Sequence, residues 1–233
     1  MMQKARVLGA ACALLAASAL PAVAREAAPL APHFTPATAG SAAPDADGFI
    51  RRWLLLEPIA KPNRTNQLFT STYVRAAFAA DRPAGLDTGS GHTLPRDGQT
   101  IAHKGASLTW HALDATPWDV KLFGFAQAYG KPTYGVIFWA VTVIDAPRDM
   151  PDAHLAAGSN SASVWWLNGA ETAALFGDRR MVMDDVVSPA VGLKKGRNVL
   201  IGAVINGPGL SDFCIRFVDG KGQPIRDLSV RAQ

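Results

Sequence analysis

Short apolar segments alternate with turn residues from 161 to 225, and this pattern constrains the fold more than any other feature. The segments are rich in Val, Ile and Trp, and the turns contain Asn-Gly, Gly-Asp, Asn-Gly-Pro-Gly and Asp-Gly-Lys-Gly. Short strands separated by such turns are typical of antiparallel β-sandwiches. The pattern predicts an all-β fold but leaves the function open, because sandwiches serve sugar binding, domain packing and scaffolding alike.

The first 24 residues have the pattern of a secretory signal peptide. Lys4 and Arg6 precede an apolar stretch over 7–20, and a Pro-Ala-Val-Ala sequence then supplies a small-x-small cleavage site. The apolar stretch is shorter than the roughly 20 residues that a membrane-spanning helix needs, which argues against a retained anchor. We therefore predict cleavage after Ala24 and a periplasmic or secreted protein.

Composition divides the remaining chain into two parts. Residues 25–47 are mostly Ala, Pro, Thr and Ser, which predicts a disordered tether because they bury too little apolar surface. Residues 48–233 are predicted to form one sandwich domain, with a short helix over 66–80 that Thr65 or Asn66 caps. The predicted strands are 49–56 (ending at Pro58), 99–102, 108–111, 134–144, 153–158, 161–167, 187–193, 198–206 and 213–219, of which 134–144 is apolar enough to be buried on both faces.

Charge and cysteine content exclude several classes of partner and of stabilisation. The formal net charge of +4 includes two charges in the predicted signal peptide, and the remaining basic residues form no stripe. Nucleic acid and anionic membranes are therefore not expected partners. Cys214 would be the only cysteine left after cleavage, so the fold is expected to rest on its apolar core, with Cys214 as a buried small side chain.

Four phrases of the second half form a recognisable order. Leu108-Thr109-Trp110 precedes an irregular segment, the apolar strand 134–144 follows, 164–169 runs into an Asn-Gly turn, and 193–198 reads Leu-x-x-Gly-x-Asn. In this order the chain resembles the galactose-binding-like jelly-roll modules of bacterial carbohydrate-active proteins. The resemblance implies a jelly-roll β-sandwich with one short helix and a polysaccharide setting.

A narrower resemblance rests on the segments 53–59, 61–66, 158–163 and 178–185. They are similar to the β-sandwich module that accompanies the α/β-hydrolase domain in acetylxylan esterases, although no such catalytic domain is expected within these 233 residues. Jelly-roll modules of this kind often carry an acidic pair where Asn160-Ser161 stand here. A hard cation prefers carboxylates, so neither calcium nor any other cofactor is expected.

Motifs for catalysis are not evident in the sequence. It contains no Gly-x-Ser-x-Gly elbow, no His-Glu-x-x-His and no phosphate-binding loop. An unfamiliar triad, for instance Ser161 or Ser211 with His154 and Asp212, stays open because triads are assembled in space. The chain is therefore predicted to be non-catalytic, with a carbohydrate esterase of unrecognised active site as the alternative.

Sugar binding requires an aromatic surface beside side chains that form planar hydrogen bonds. Trp165 and Trp166 are adjacent in a predicted strand, so their indoles point to opposite faces, and the outward one, Trp166, is a candidate for stacking on a sugar. The alternative is that both indoles are buried, one in the core and the other beneath the helix or a loop.

Two loops supply the other candidate ligand-binding residues. The segment 177–185 carries Arg179, Arg180, Asp184 and Asp185, which form either a polar ligand rim or cation site, or an ion-paired loop that joins neighbouring strands. Asn206 and Asp212 flank a glycine-bent segment, which is either a recognition loop at a strand end or a plain connection.

These observations lead to one expected function and two alternatives. We expect an exported, non-catalytic accessory module that binds polysaccharide or docks onto a separately encoded carbohydrate-active enzyme. The alternatives are the esterase named above and a structural interaction domain without a small ligand.

Overall fold

The computed structural model describes residues 29–86 and 94–232, so the predicted signal peptide lies outside the described residues. The two described helices are α1 (Ser71–Ala80) and α2 (Leu122–Ala128). The described strands are β1 (Phe34–Pro36), β2 (Arg52–Ala60), β3 (Thr100–His103), β4 (Ala106–Ala115), β5 (Val136–Ala146), β6 (His154–Ser159), β7 (Ala162–Leu167), β8 (Ala170–Leu175), β9 (Val186–Ala190), β10 (Gly196–Asn206), β11 (Phe213–Val218) and β12 (Ser229–Arg231).

The strands form two antiparallel sheets, which confirms the predicted all-β sandwich. The larger sheet has the order β1-β4-β2-β5-β10-β7-β8, with β12 beside β5 and β3 beside β4, and the smaller sheet has the order β11-β6-β9. Trp53, Trp165 and Phe213 meet between the sheets, and all three are fully buried. The ring of Phe213 lies 5.0 Å from Trp53 and 4.9 Å from Trp165, so these aromatic contacts join the two layers.

The larger sheet also buries its outer face. Leu54, Leu56 and Trp139 on that face pack with Phe78 of helix α1 in a second apolar cluster. Strand β5 therefore lies between two cores, which explains why nearly every position is apolar and confirms the buried central strand. The strand begins at Val136, however, and Tyr134, which the sequence placed in it, is exposed.

The helical content differs from the prediction in two ways. Helix α1 begins at Ser71, five residues later than expected, because the Thr70 side chain accepts a hydrogen bond from the Tyr73 amide and provides the cap. Helix α2 lies in a segment predicted to be irregular, so the prediction of one short helix is incomplete. Its Leu122 and Phe125 are buried in the main core, and this packing stabilises a helix of only seven residues.

The sequence predicted the hairpin turn after β7 but did not predict the strands β1, β8 and β12. Asn168 and Gly169 both have positive φ (49° and 87°), as a two-residue turn between β7 and β8 requires. Strand β8 has the sequence AETAAL, which contains few strand-favouring residues, and it forms because β7 pairs with it. Strands β1 and β12 have three residues each and are likewise defined by their partners, β4 and β5.

The prediction of a disordered tether is wrong for residues 29–47. Phe34 of β1 is buried and contacts the ring of Phe125 at 6.4 Å, and Ala42 exchanges backbone hydrogen bonds with Val230. Average composition missed this because a single buried aromatic residue and a few backbone pairs suffice to order the segment.

Strand β2 continues through Pro58, where the sequence placed its end. The pairing of β2 with β5 shifts register between Leu56 and Ile59. An irregularity of this kind accommodates a residue that lacks an amide hydrogen. Proline therefore interrupts the ladder here without ending the strand.

Candidate functional site

Loops that are distant in sequence meet at one end of the sandwich. We call this region the loop end and define it as residues 61–70, 119–123, 133–135, 158–161, 176–180 and 206–213. The amide of Lys61 donates to the carbonyl of Gly135 (2.7 Å), and the amide of Asn160 donates to the carbonyl of Asp212 (2.9 Å). Backbone hydrogen bonds therefore tie these loops together.

Asn66 is the side chain that fixes three of these loops. Its Nδ2 donates to the carbonyl of Pro208 (2.8 Å) and to Oδ1 of Asp178 (3.0 Å). Its Oδ1 accepts a hydrogen bond from the amide of Gly207 (2.9 Å). A buried amide with both ends satisfied holds its neighbours in one arrangement, so the surface above Asn66 is preorganised.

Exposed apolar side chains gather at the loop end. Seven large apolar side chains are exposed in the described chain; Leu68, Tyr134 and Leu210 lie in the loop end, and Tyr73 lies beside it in the first turn of α1. The Tyr73 hydroxyl donates to Oδ1 of Asn63 (2.6 Å), and Gly135 packs against the backbone of Asn63. Both tyrosines thus flank one exposed polar segment.

Tyr134 is the best placed of these side chains to stack on a ligand. It is 55% exposed, and its ring lies 5.8 Å from the ring of Phe123. The next residue, Gly135, has φ of 62° and lies so close to the backbone of Pro62 that a Cβ atom would stand 3.1 Å from its Cα. The backbone beside Tyr134 is therefore fixed, and its ring has an aromatic neighbour while more than half of the side chain stays exposed.

Beneath this surface Lys121 joins two buried carboxylates. Its Nζ lies 2.6 Å from Oδ2 of Asp119 and 3.2 Å from Oδ2 of Asp212. Burial alone would lower the pKa of Lys121, but the hydrogen bond with Asp119 and the charge of Asp212 raise it above its ordinary value. Burial also raises the pKa of Asp212, against the opposing effect of Lys121.

The loop end contains all four of the buried side-chain oxygen atoms that have no hydrogen-bond partner within the described residues. They are Oδ1 of Asn160, Oδ1 of Asn206, Oγ of Ser211 and Oδ1 of Asp212, and the one further atom of this kind is Nε2 of His111 elsewhere in the fold. Polar groups in native interiors bond to protein, water or ligand in the great majority of cases. The concentration of such atoms distinguishes this end from the other polar clusters of the fold.

The corner where the sequence lacks an acidic pair contains one ammonium group and two carboxylates. Asn160 and Ser161 are neutral, and the carboxylates of Asp119 and Asp212 are already neutralised in part by the ammonium of Lys121. Within 29–86 and 94–232, no cluster of three or more His, Cys, Asp or Glu side chains is arranged to hold a metal. The fixed cation of this corner is therefore a lysine.

Trp166, predicted to stack on a sugar, lies beneath helix α1. Its ring stacks on Trp139 at 5.9 Å with 17° between the planes, and Phe78 of α1 contacts it edge-on at 6.4 Å. The guanidinium of Arg82 lies 5.9 Å from the ring centre. The structure matches the alternative in which both tryptophans are packed, because Trp165 is buried in the main core.

The segment 177–185 is an ion-paired loop across the outer face of the smaller sheet. Nε of Arg179 donates to Oδ2 of Asp185 (3.0 Å). Nε of Arg216 donates to both carboxylate oxygens of Asp184, each at 3.1 Å. A Cβ atom on Gly158 of β6 would overlap the loop backbone, so the two lie in direct contact. Arg179, Asp184 and Asp185 thus hold the loop in place, as in the alternative of an ion-paired loop.

Besides Arg179, the predicted residues Arg180, Asn206 and Asp212 also lie within the loop end. Asn206 is buried and donates to the carbonyls of Thr133 and Gly209, both at 3.0 Å, so it shapes the loop. Asp212 is 2% exposed and pairs with Lys121. Arg180 is exposed, and its side chain makes no ion pair with a described residue.

Sequence reasoning missed the residues that form the exposed surface. Tyr134 was included in the long apolar strand, although the glycine after it indicates a turn. The sequence assigns the segment 61–66 to the narrower resemblance and to a helix cap, and it places Leu210 in a candidate recognition loop without a role for its side chain. No local signal in the sequence shows that these segments meet.

The structure does not assemble the unfamiliar triad that the sequence left open. His154 begins β6 and Ser159 ends it, which separates them by about 17 Å along the strand. His154 Nδ1 lies 2.8 Å from the carbonyl of Ser188, whereas Asp212 and Ser211 lie beyond the Ser159 end. His154 therefore cannot act on either serine as a general base.

Two other polar clusters are structural. Asp81 is fully buried after helix α1 and bonds to Lys61 (3.0 Å), His103 (3.2 Å) and Lys104. At the bulge of β2, the Glu57 carboxylate accepts from the amide of Thr109 (3.1 Å) and pairs with a lysine, Lys131 (2.9 Å).

No helix within the described ranges is long and apolar enough to cross a membrane.

Comparison with known proteins gives no family. No family model matches the chain, and no curated protein matches. Among solved structures, the chain is similar to a PA14 sugar-binding domain from an RTX adhesin, with 11% identity over 77% of this chain and 96% of that chain and a TM-score of 0.42. It is also similar to a Ruminococcus gnavus β-glucuronidase, with 13% identity over 79% of this chain and 30% of that chain and a TM-score of 0.35.

Proposed function

We propose that this protein is a non-catalytic carbohydrate-binding module and that the loop end binds the glycan. The observation that carries the proposal is the pairing of an exposed, supported Tyr134 ring with the polar segment around Asn63. In this proposal the protein is exported and binds a polysaccharide, which a separately encoded enzyme degrades.

The chemistry of the loop end suits a sugar. A pyranose ring presents an apolar face that stacks on an aromatic ring and hydroxyl groups that bond to planar polar side chains. Tyr134, Leu68 and Leu210 supply exposed apolar surface, with exposed fractions of 55%, 68% and 51%. Asn63 supplies an amide at its margin: Nδ2 donates to the carbonyl of Lys61 (2.6 Å), which leaves its second N–H for a sugar hydroxyl, and Oδ1 accepts from the Tyr73 hydroxyl.

Preorganisation supports the same conclusion. Asn66 fixes three loops, and neighbouring backbone bonds fix the turn that carries Tyr134. A surface that is already ordered loses little conformational entropy when a ligand binds, so a small site can still give measurable affinity. A site that binds a sugar mainly by stacking on one aromatic ring depends on this small loss of entropy.

The test is binding by affinity electrophoresis through a panel of polysaccharides that includes acetylated xylan, pectin and cellulose derivatives. Acetylated xylan comes first because of the resemblance to esterase-associated modules. We expect retardation by at least one glycan and its loss in Tyr134→Ala, with binding largely kept in Tyr134→Phe. Stacking on one aromatic ring contributes about 1 kcal/mol or more, so the alanine variant should bind about fivefold or more weakly.

Val187→Ala is the matched control, because Val187 is 50% exposed but lies on the smaller sheet, outside the loop end. It should migrate as the wild type does. Unchanged mobility of the wild type in every gel would refute carbohydrate binding. Release of acetate from acetylated xylan by the purified protein would favour the esterase alternative instead.

A further inference from the structure

We propose that the glycan bound at the loop end is acidic, a polymer that contains uronic acids, and that Arg64 and Arg180 bind its carboxylates. This inference rests on the proposed function and names the substrate class of the same site. It follows from the charge of the exposed surface, which differs from that of the buried layer beneath it.

Two exposed arginines lie in the segments that form the loop end. Arg64 follows Asn63 directly, and Arg180 lies two residues after Asp178, which Asn66 holds at 3.0 Å. The amide of Ser161 donates to the carbonyl of Arg179 (3.3 Å), which anchors the second segment at the same end. Neither guanidinium pairs with a carboxylate of the described residues.

Their freedom contrasts with most other arginines of the fold. Six arginines of the described chain form ion pairs with Asp or Glu: Arg52, Arg75, Arg148, Arg179, Arg216 and Arg231. A guanidinium that is not engaged by a carboxylate of its own chain keeps its planar set of donors for an external one.

The carboxylates nearby do not cancel this charge at the surface. Asp119 and Asp212 are buried and share Lys121, and exposed Asp178 accepts a hydrogen bond from Asn66. At the exposed surface the two arginines therefore face one carboxylate, that of Asp178, which leaves an excess of positive charge. Arg64 lies in the segment that Gly135, the residue after Tyr134, packs against, and Arg180 lies in the segment that Asn66 ties to the same end.

A uronic acid satisfies both features of the surface. Its ring has the apolar face that stacks on Tyr134, and its carboxylate is planar and can accept two parallel hydrogen bonds from one guanidinium. Successive uronates in a polymer present carboxylates repeatedly, so two separated arginines can each engage one. Because the guanidinium groups are exposed, this part of the affinity should weaken as salt screens the charges.

The experiment compares polygalacturonate with fully methyl-esterified polygalacturonate, which has the same backbone without the charges. We expect the wild type to bind the charged form at least about tenfold more tightly, since hydrogen bonds to ionised groups are the strong ones. Arg64→Gln and Arg180→Gln should each weaken binding of the charged form several-fold and leave binding of the ester unchanged. Thermal unfolding of each variant shows that the fold is intact.

Arg197→Gln is the matched control. Arg197 is exposed near the start of β10, about 30 Å along the strand from Asn206 at the loop end. It should bind both polymers as the wild type does, and a loss equal to that of Arg180→Gln would show nonspecific charge attraction and overturn the inference.

The two proposals fail in different ways. Two results would overturn the acidic ligand and leave carbohydrate binding intact. One is equal affinity of the wild type for the charged and the esterified polymer. The other is binding of a neutral glycan that depends on Tyr134 and is unaffected by the arginine variants. Binding to no glycan would overturn both. Binding of the charged polymer that does not depend on Tyr134 would separate the arginines from the proposed site and overturn the inference.

Discussion

Replacement of Lys121 by methionine tests the electrostatic layer beneath the loop end. Methionine has a similar length and no charge, so the substitution removes the ammonium with little change in packing. Asp119 and Asp212, whose side chains are 6% and 3% exposed, would then face each other's charge without a cation. The expected result is a large loss of stability concentrated at this end of the fold.

The magnitude follows from the burial of the three groups. Removing one partner of a buried ion pair costs about 3–5 kcal/mol, because the other charge stays buried. Lys121 is 31% exposed, so water reaches it and the lower end of that range applies. For a domain of this size about 3 kcal/mol corresponds to a decrease in Tm of about 6–12 °C.

The deficit should depend on pH with a definite sign. Burial raises the pKa of Asp212 in the folded state, and removal of Lys121 removes an influence that lowers it. The folded protein then binds the proton more tightly than the unfolded chain does, whose aspartate pKa is about 3.9. The contribution of Asp212 to the free energy of unfolding is favourable at low pH and is lost as pH rises from about 4 through the folded pKa. The stability of Lys121→Met should therefore be closer to that of the wild type at pH 4 than at pH 8.

The assay is urea unfolding at pH 4, 6 and 8 for the wild type, Lys121→Met and two further variants. Asp212→Asn in the Lys121→Met background should recover part of the lost stability, because the amide is neutral. Lys221→Met, in an exposed turn, should unfold as the wild type does. A deficit below about 1 kcal/mol, or one that is equal at all three pH values, would refute the argument.

Two further predictions concern buried groups elsewhere. Burial alone would raise the pKa of Asp81, but hydrogen bonds from Lys104 and Lys61, with a weaker one from His103, lower it from 3.8 to about 2. This difference contributes about 2 kcal/mol to the free energy of unfolding, which is present above pH 4 and lost as pH falls towards 2. In urea titrations, Asp81→Asn should therefore lose about 2 kcal/mol less stability than the wild type on acidification. An identical acid dependence of the two proteins would contradict this prediction. Burial raises the pKa of the Cys214 thiol to about 12, so native protein at pH 8 should not react with a thiol reagent that modifies it fully in guanidinium chloride, and rapid native reaction would show that the strand opens.

The strands that the sequence predicted are those whose own side chains specify them. The segment 134–144 is apolar at nearly every position, and the structure places Val136–Ala146 between two cores. The strand β8 was missed for the opposite reason, because AETAAL has no alternating apolar pattern and depends on its pairing with β7. Local patterns therefore predict the centre of a sheet better than its edges.

The position of Trp166 shows the same limit for side chains. Adjacent strand residues point to opposite faces, so the sequence correctly required one indole on each side of the sheet. It could not show that helix α1 covers the outer face, which decides whether that indole meets solvent or Phe78. Fold class and side-chain alternation were thus predictable, whereas the cover of each face was not.

The loop end could not be predicted because its organising contacts are long-range. Asn66 bonds to Asp178 and Pro208 across 112 and 142 residues of sequence, and nothing in the segment 61–66 encodes those partners. The strands determine which loops lie at the same end, and the amide then fixes their spacing. Tyr134 and Arg64 consequently come to lie at the same end only after the sheets have formed. Residues chosen for their chemistry alone, such as Asp184 and Asp185, instead form the ion pairs that hold a neighbouring loop.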